Sequence, residues 1–167
     1  MTQEIAERPI PKVELPIKYA LGWVHEAIDK PFTVGDPVFW NRLESNSASI
    51  TTSGTTSGGE YSQIKLKPGK VYKLTGFVSL QIGSQAVIRS RFQWFNVTKN
   101  TYVGAEGGTS DENTNWTLSG SAPALAYVEA DEETIFELRA NFQGGDDTVS
   151  FLYGTTFEVQ HLQNMKI

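Results

Sequence analysis

Val71-Tyr-Lys-Leu-Thr-Gly-Phe-Val-Ser-Leu-Gln-Ile82 is the stretch on which the fold class turns. It follows the turn Lys67-Pro-Gly-Lys70 and places Tyr72, Leu74, Gly76, Val78, Leu80 and Ile82 on one face of an extended chain. Gly83-Ser84 reads as a reversal, and Ala86 to Val97 as a return strand. There Ile88, Phe92 and Trp94 share one side, while Arg89, Arg91, Gln93 and Phe95 share the other. Side chains of a strand alternate between its two faces, so period-2 runs of this length predict long antiparallel strands.

The pattern continues downstream. Thr98-Lys-Asn-Thr101 is a turn, Tyr102-Val103 a strand stub, and Gly104 to Ser121 a long polar excursion in which Trp116-Thr-Leu118 is the one strand candidate. Pro123 to Glu129 alternates, and Asp131-Glu-Glu133 is a turn. Thr134 to Phe142 then points Phe136, Leu138, Ala140 and Phe142 one way. Gln143 to Asp147 reads as a hairpin turn, and Thr148–Tyr153 and Thr155–Leu162 as closing strands divided at Gly154. Upstream, Gln63 to Lys67 is a short strand, and Ser45 to Ser62 a polar Gly-rich stretch in which Ile50 marks an edge strand. Phe32 to Arg42 is expected to include the first strand of the domain. Eight to ten short strands with Gly- and Asp-rich turns predict an all-β protein, an antiparallel two-sheet jelly-roll sandwich. Leu74, Val78, Leu80, Phe92, Phe136, Leu138 and Phe151 are its expected core.

Residues 1–31 differ from the rest. Five of the seven prolines fall within residues 1–37, a density that excludes a regular sheet interior. The segment is read as an extended, Pro-rich N-terminal arm, and 32–167 as the jelly-roll domain. Ile10, Val13, Leu15, Tyr19, Trp23 and Ile28 make the arm too apolar for a solvated tail. An arm that docks on a partner follows from that.

Composition narrows the chemistry. At 167 residues the chain suffices for one domain with a real core. A net charge of −5 with no Lys or Arg run disfavours a nucleic-acid partner, which requires a basic face to displace counterions. No cysteine means no disulfide framework and no thiolate chemistry. Met1-Thr-Gln-Glu4 lacks the charged and apolar regions of a leader, and no run approaches membrane-spanning length, so no membrane partner is expected.

No catalytic set stands out. Gly145-Asp-Asp147 matches the metal hairpin of viral RNA polymerases in letters only, since that chemistry needs further carboxylates; here it reads as a turn. Asp111-Glu112, Asp131-Glu-Glu133 and Asp146-Asp147 lack the alternating spacing of a calcium loop. Glu137 is the best-placed lone carboxylate, and its strand position on the less apolar face beside Arg139 favours a solvated or ion-paired residue over general acid work. His25 and His161 are the only histidines, and His161 continues the alternation of Phe157 and Val159 into a packed position. No enzyme, cofactor or metal is expected. Asn96-Val-Thr98 and Asn115-Trp-Thr117 match the glycosylation sequon, and without a leader they read as chance matches.

Several of these pieces, in this order, resemble the tumour-necrosis-factor-like and complement globular-head jelly roll. The carriers are Pro68-Gly-Lys-Val-Tyr72, the return strand Arg89-Ser-Arg-Phe-Gln-Trp-Phe95, and the closing Tyr153-Gly-Thr-Thr-Phe-Glu-Val-Gln-His-Leu162. Val128 to Leu138 matches more loosely, with Asp131-Glu-Glu133 where the family has Gly-Asp. The resemblance covers about Phe32 to Leu162 and implies a homotrimer packed through aromatic strand faces. Phe77 and Phe95, opposite the main apolar stripes, are then the expected subunit interface. The same fold serves phage and viral spikes, fibre heads and capsid decoration proteins. A cysteine-free, leaderless domain behind a Pro-rich arm fits that group. The expectation is a non-enzymatic bacteriophage virion protein, a capsid decoration or head spike, made in the host cytoplasm and held on the capsid surface. Its arm would dock on the major capsid protein or a neighbouring virion subunit. The alternative is a receptor- or glycan-binding fibre tip, with Tyr102 and Trp116 in the ligand loop.

Overall fold

A computed structural model describes residues 17–82, 89–111, 117–143, 147–152 and 154–162. Among them are fourteen strands and no helix: β1 (Lys18–Trp23), β2 (Ile28–Phe32), β3 (Arg42–Ser45), β4 (Ile50–Ser53), β5 (Gln63–Leu66), β6 (Lys70–Phe77), β7 (Leu80–Ile82), β8 (Arg89–Asn96), β9 (Thr101–Asp111), β10 (Thr117–Ala122), β11 (Ala124–Ala130), β12 (Thr134–Gln143), β13 (Asp147–Phe151) and β14 (Thr156–Leu162). Every named pair is antiparallel. One sheet runs β3-β1-β14-β6-β11, and the other contains β4-β5-β12-β8-β9.

The second sheet extends through β10-β7-β13-β2. This order repeats β11-β6-β14-β1 of the first sheet, because each pair is one long strand bent at a corner. Sheets joined by strands that switch between them turn at such bends. Thr155 holds the central corner: its buried hydroxyl accepts from the Ser79 N–H at 3.0 Å and donates to the Ser79 carbonyl at 2.8 Å. Its own carbonyl accepts from the Val24 N–H at 3.0 Å, which ties in the neighbouring bend. At the fourth bend Pro123 has no N–H to continue a ladder. Beside that bend β9 lies so close that a Cβ on Gly104, at φ +75°, would strike the Leu125 carbonyl and Ala126.

The core lies between the two sheets. Leu74, Val78, Leu80, Phe92, Phe136, Leu138 and Phe151 are all buried, as the alternation predicts. Phe157 sits at the centre, edge-on to Trp40 at 4.6 Å. Its cross-strand neighbours on both sides are glycines, Gly22 and Gly76. A Cβ at Gly22 would stand within 2.7 Å of Cε1, Cδ1 and Cζ of Phe157, so the ring occupies the space a side chain would fill. Dense interiors leave no slack for both.

Four expectations are corrected. The domain does not begin at residue 32: Lys18–Trp23 is paired between β14 and β3, and Ile28–Phe32 pairs β13. The first strand is therefore β1 and not part of Phe32 to Arg42. Proline density misleads here because the sheet edge at β2 tolerates a residue without an N–H, Pro31. The long strand from Val71 breaks at Val78-Ser79, and β8 pairs β12 and β9 instead of β6 or β7. Tyr102-Val103 is no stub but part of the eleven-residue β9.

Candidate functional site

The outward face of the first sheet carries Ile17, Phe77 and Tyr127, three of the six exposed large hydrophobics among the described residues. Alternation sends Ala20, Phe157, Val159, Tyr72, Leu74 and Ala126 into the core. Their neighbours must therefore face out. Registers order these outward residues in rungs: Trp23, Thr156 and Phe77; Leu21, Glu158, Thr75 and Leu125; Tyr19, Gln160, Lys73 and Tyr127. Ile17, Phe77 and Tyr127 are 62%, 38% and 54% exposed. One apolar column thus follows β1 and a second follows β11; on the two rungs that cross all four strands the side chains of β14 and β6 between them are polar, and Phe77 on β6 is the apolar exception at the Trp23 rung. At ~4.8 Å per strand the columns stand roughly 14 Å apart.

Along the β1 column Ile17, Tyr19, Leu21, Glu158 and Gln160 line a shallow cavity of about 390 Å³. Tyr19 donates its hydroxyl to Glu44 at 2.5 Å, and the carboxylate raises the phenol's pKa by favouring the protonated form. Gln160 donates to Glu158 at 2.7 Å. Tyr19, Glu158 and Gln160 thus each spend one polar atom within the chain, and most of the exposed cavity wall is hydrocarbon.

The expected site residues separate into four situations. Tyr19 and Trp23 lie half-buried on this face, on β1 and not on a free arm, and Ile28 is buried in the core. Phe77 lies on the same face at the rung of Trp23. Phe95 does not share it. It sits on the outer side of the second sheet, only 7% exposed. Tyr102 covers it edge-on at 5.0 Å, and the Arg139 guanidinium lies 3.9 Å above its ring. Arg139 is held there by Glu137 at 2.6 Å, which also accepts from Gln63 at 2.8 Å. The chain itself buries Phe95, which corrects the reason for expecting a second subunit there. Ile10, Val13, Leu15 and Trp116 lie outside the described residues.

The groups weighed for chemistry have structural partners. Glu137 is buried and ion-paired with Arg139. Asp131 and Glu133 are exposed and pair with Lys99 at 3.7 Å and Lys65 at 3.1 Å. His25 is exposed at the β1–β2 bend, where its N–H donates to Asn41 at 2.7 Å. His161 packs against the Tyr72 ring at 5.6 Å. Among the described residues no three His, Asp or Glu side chains gather into a metal site. Ile17, Leu21 and Tyr127 were missed by sequence reading. Their signal was available: each stands one position out of phase with the core stripe, apolar where a solvated face is expected.

No family model matches the sequence, and no curated protein matches it. Solved structures do match the fold. Eiger TNF from S. frugiperda superimposes with a TM-score of 0.56 at 12% identity, covering 91% of this chain and 96% of that one. The globular domain of zebrafish complement 1qA gives 0.55 at 11% identity over 85% and 94%. Murine APRIL gives 0.54 at 7% identity over 88% and 100%. The chain has the jelly-roll fold of tumour-necrosis-factor-like and complement globular domains. At these identities the likeness is one of fold.

Proposed function

We propose that this chain is a non-enzymatic assembly protein that closes into a homotrimer through the outward face of its first sheet. The observation that carries the reading is the pair of separated apolar columns, Ile17-Leu21-Trp23 along β1 and Leu125-Tyr127 along β11. A ring of three identical chains is built from heterologous contacts, in which each subunit contributes two different patches. A flat face with one apolar column at each side supplies both. Fully burying side chains of this size contributes about 1.5–3 kcal/mol each, so a few per contact suffice for a stable ring. Light scattering at micromolar concentration should return three times the chain mass. Tyr127→Glu should reduce it to the monomer mass while the far-UV spectrum stays β-rich. A monomeric wild-type protein at that concentration would overturn the reading.

The finer reading is a virion role: a phage capsid decoration or head-spike protein. The absence of cysteine, the Ser/Thr-rich surface and the Pro-rich segment before β1 support it. Since β1 and β2 belong to the domain, the anchor is confined to residues 1–16, with Ile10, Val13 and Leu15 as its apolar contacts. Three copies of a weak anchor on one trimer gain from avidity. Deleting residues 1–16 should leave the trimer intact and abolish co-sedimentation with capsids. Undiminished co-sedimentation would remove the anchor from this segment.

A further inference from the structure

At one end of the sandwich, the alternation that packs the core carries cations inward. Lys18 shares the phase of Ala20 and Gly22, His161 that of Phe157 and Val159, and Lys70 that of Tyr72 and Leu74. Lys18 stands opposite His161, and His161 opposite Tyr72. Lys67 arrives from the β5–β6 turn, where its carbonyl accepts from the Tyr72 hydroxyl at 2.9 Å. With Ser47 and Ser49 of the β3–β4 connection these side chains line a basin of about 510 Å³.

Three features set the basin apart. Among the described residues no lining residue is acidic. Among the described residues none of Lys18, Lys67 and Lys70 is in an ion pair, whereas Lys65 and Lys99 are. The chain as a whole carries −5, so three convergent lysines do not follow from a basic composition. Inward-pointing lysines can guard a sheet edge against pairing. That explanation fails here, because β1, β14 and β6 each have neighbours on both sides.

We propose that the basin is an oxyanion site that takes one sulfate or phosphate group, held by the ammonium groups of Lys18, Lys67 and Lys70. Three point charges converging on one place suit a single dianionic group better than an extended strand of nucleic acid, which requires charges spread along a groove. The Ser47 and Ser49 hydroxyls are 2.8 Å apart and share one hydrogen bond, which leaves one of their two protons to donate. Burial and the Lys70 charge lower the His161 pKa from its ordinary 6.5. Among the described residues the polar groups that line the basin with it are Lys18, Asn46, Ser47, Ser49, Lys67 and Lys70, with the Tyr72 ring beside it, and none supplies negative charge near neutrality. A bound dianion would reverse that field and raise the His161 pKa. The group would come either as the free ion or as an ester on a saccharide.

The test titrates the full-length chain with sodium sulfate, inorganic phosphate or a sulfated dextran oligosaccharide at constant ionic strength, with unmodified dextran as control. The His161 ring signals are followed by NMR across pH. A saturable shift with a raised His161 pKa is expected. Saturation by free sulfate or phosphate assigns the free ion, and saturation only by the sulfated oligosaccharide assigns the ester. Lys67→Gln/Lys70→Gln should weaken binding at least tenfold, Lys18→Gln should weaken it independently, and Lys99→Gln should leave it unchanged. No saturable shift with any anion, undiminished binding by the double variant, or equal binding of unmodified dextran would overturn the proposal. The basin lies within one chain, so a monomeric result for the wild-type protein leaves this test intact.

Discussion

Gly22→Ala is the most informative single change, because two physical arguments give it opposite signs. Glycine within a strand has more conformational freedom to lose than alanine, so intrinsic preference alone predicts stabilisation of about 0.5–1 kcal/mol. Packing predicts the reverse. The new methyl would lie 2.0–2.7 Å from three Phe157 ring atoms, roughly 0.8–1.5 Å inside ordinary contact. The ring has nowhere to retreat: it is fully buried, with Trp40 edge-on at 4.6 Å and Tyr61 at 6.5 Å. Overpacking a close-packed core costs roughly 1–3 kcal/mol; the closest approach of 2.0 Å takes the upper end, and subtracting the intrinsic gain leaves a net loss of about 2 kcal/mol. For a domain of this size that lowers Tm by about 4–8 °C. Thermal unfolding would be followed by circular dichroism at one fixed protein concentration, since assembly also shifts Tm. A double-mutant cycle supplies the control. Phe157→Ala alone should cost about 3–5 kcal/mol by opening a cavity. Adding Gly22→Ala to it should restore about 0.5–1 kcal/mol, the intrinsic preference alone, because the clashing ring is gone; the coupling then exceeds the net Gly22 penalty by that amount. A Gly22→Ala variant as stable as wild type, or strictly additive changes, would refute the reasoning.

Two further outcomes follow from the corners and the boundary. Thr155→Val removes both hydrogen bonds to the Ser79 backbone and takes the partner from the part-buried Ser79 N–H, which should cost about 2 kcal/mol in urea unfolding, while Thr155→Ser retains most of the stability. Removing residues 1–16 should preserve cooperative unfolding, whereas removing 1–31 takes away β1 and nearly all of β2, uncovers β14 and β13, and should abolish it; a cooperatively folded 32–167 fragment would restore the boundary that proline density suggests.

Alternation in the sequence by itself determined which residues share a face, and so the all-β class, the buried set from Leu74 to Phe151 and most strand positions. The packed position of His161 was legible in the same way, whereas alternation left Glu137 solvated or ion-paired and the structure chose the buried ion pair. Period-2 patterns report the side on which a residue lies and say nothing about which strand lies beside it. Only the tertiary structure decided that β8 pairs β12 and β9, that four strands bend between sheets, and that residues 18–32 belong to the domain. Phe95 looked stranded on a polar face because its covers, Tyr102 and Arg139, come from other strands. The cationic basin was invisible for the same reason. Lys18 and His161 sit near opposite ends of the chain and meet only because β1 and β14 are neighbours, a choice made by packing Phe157 over Gly22.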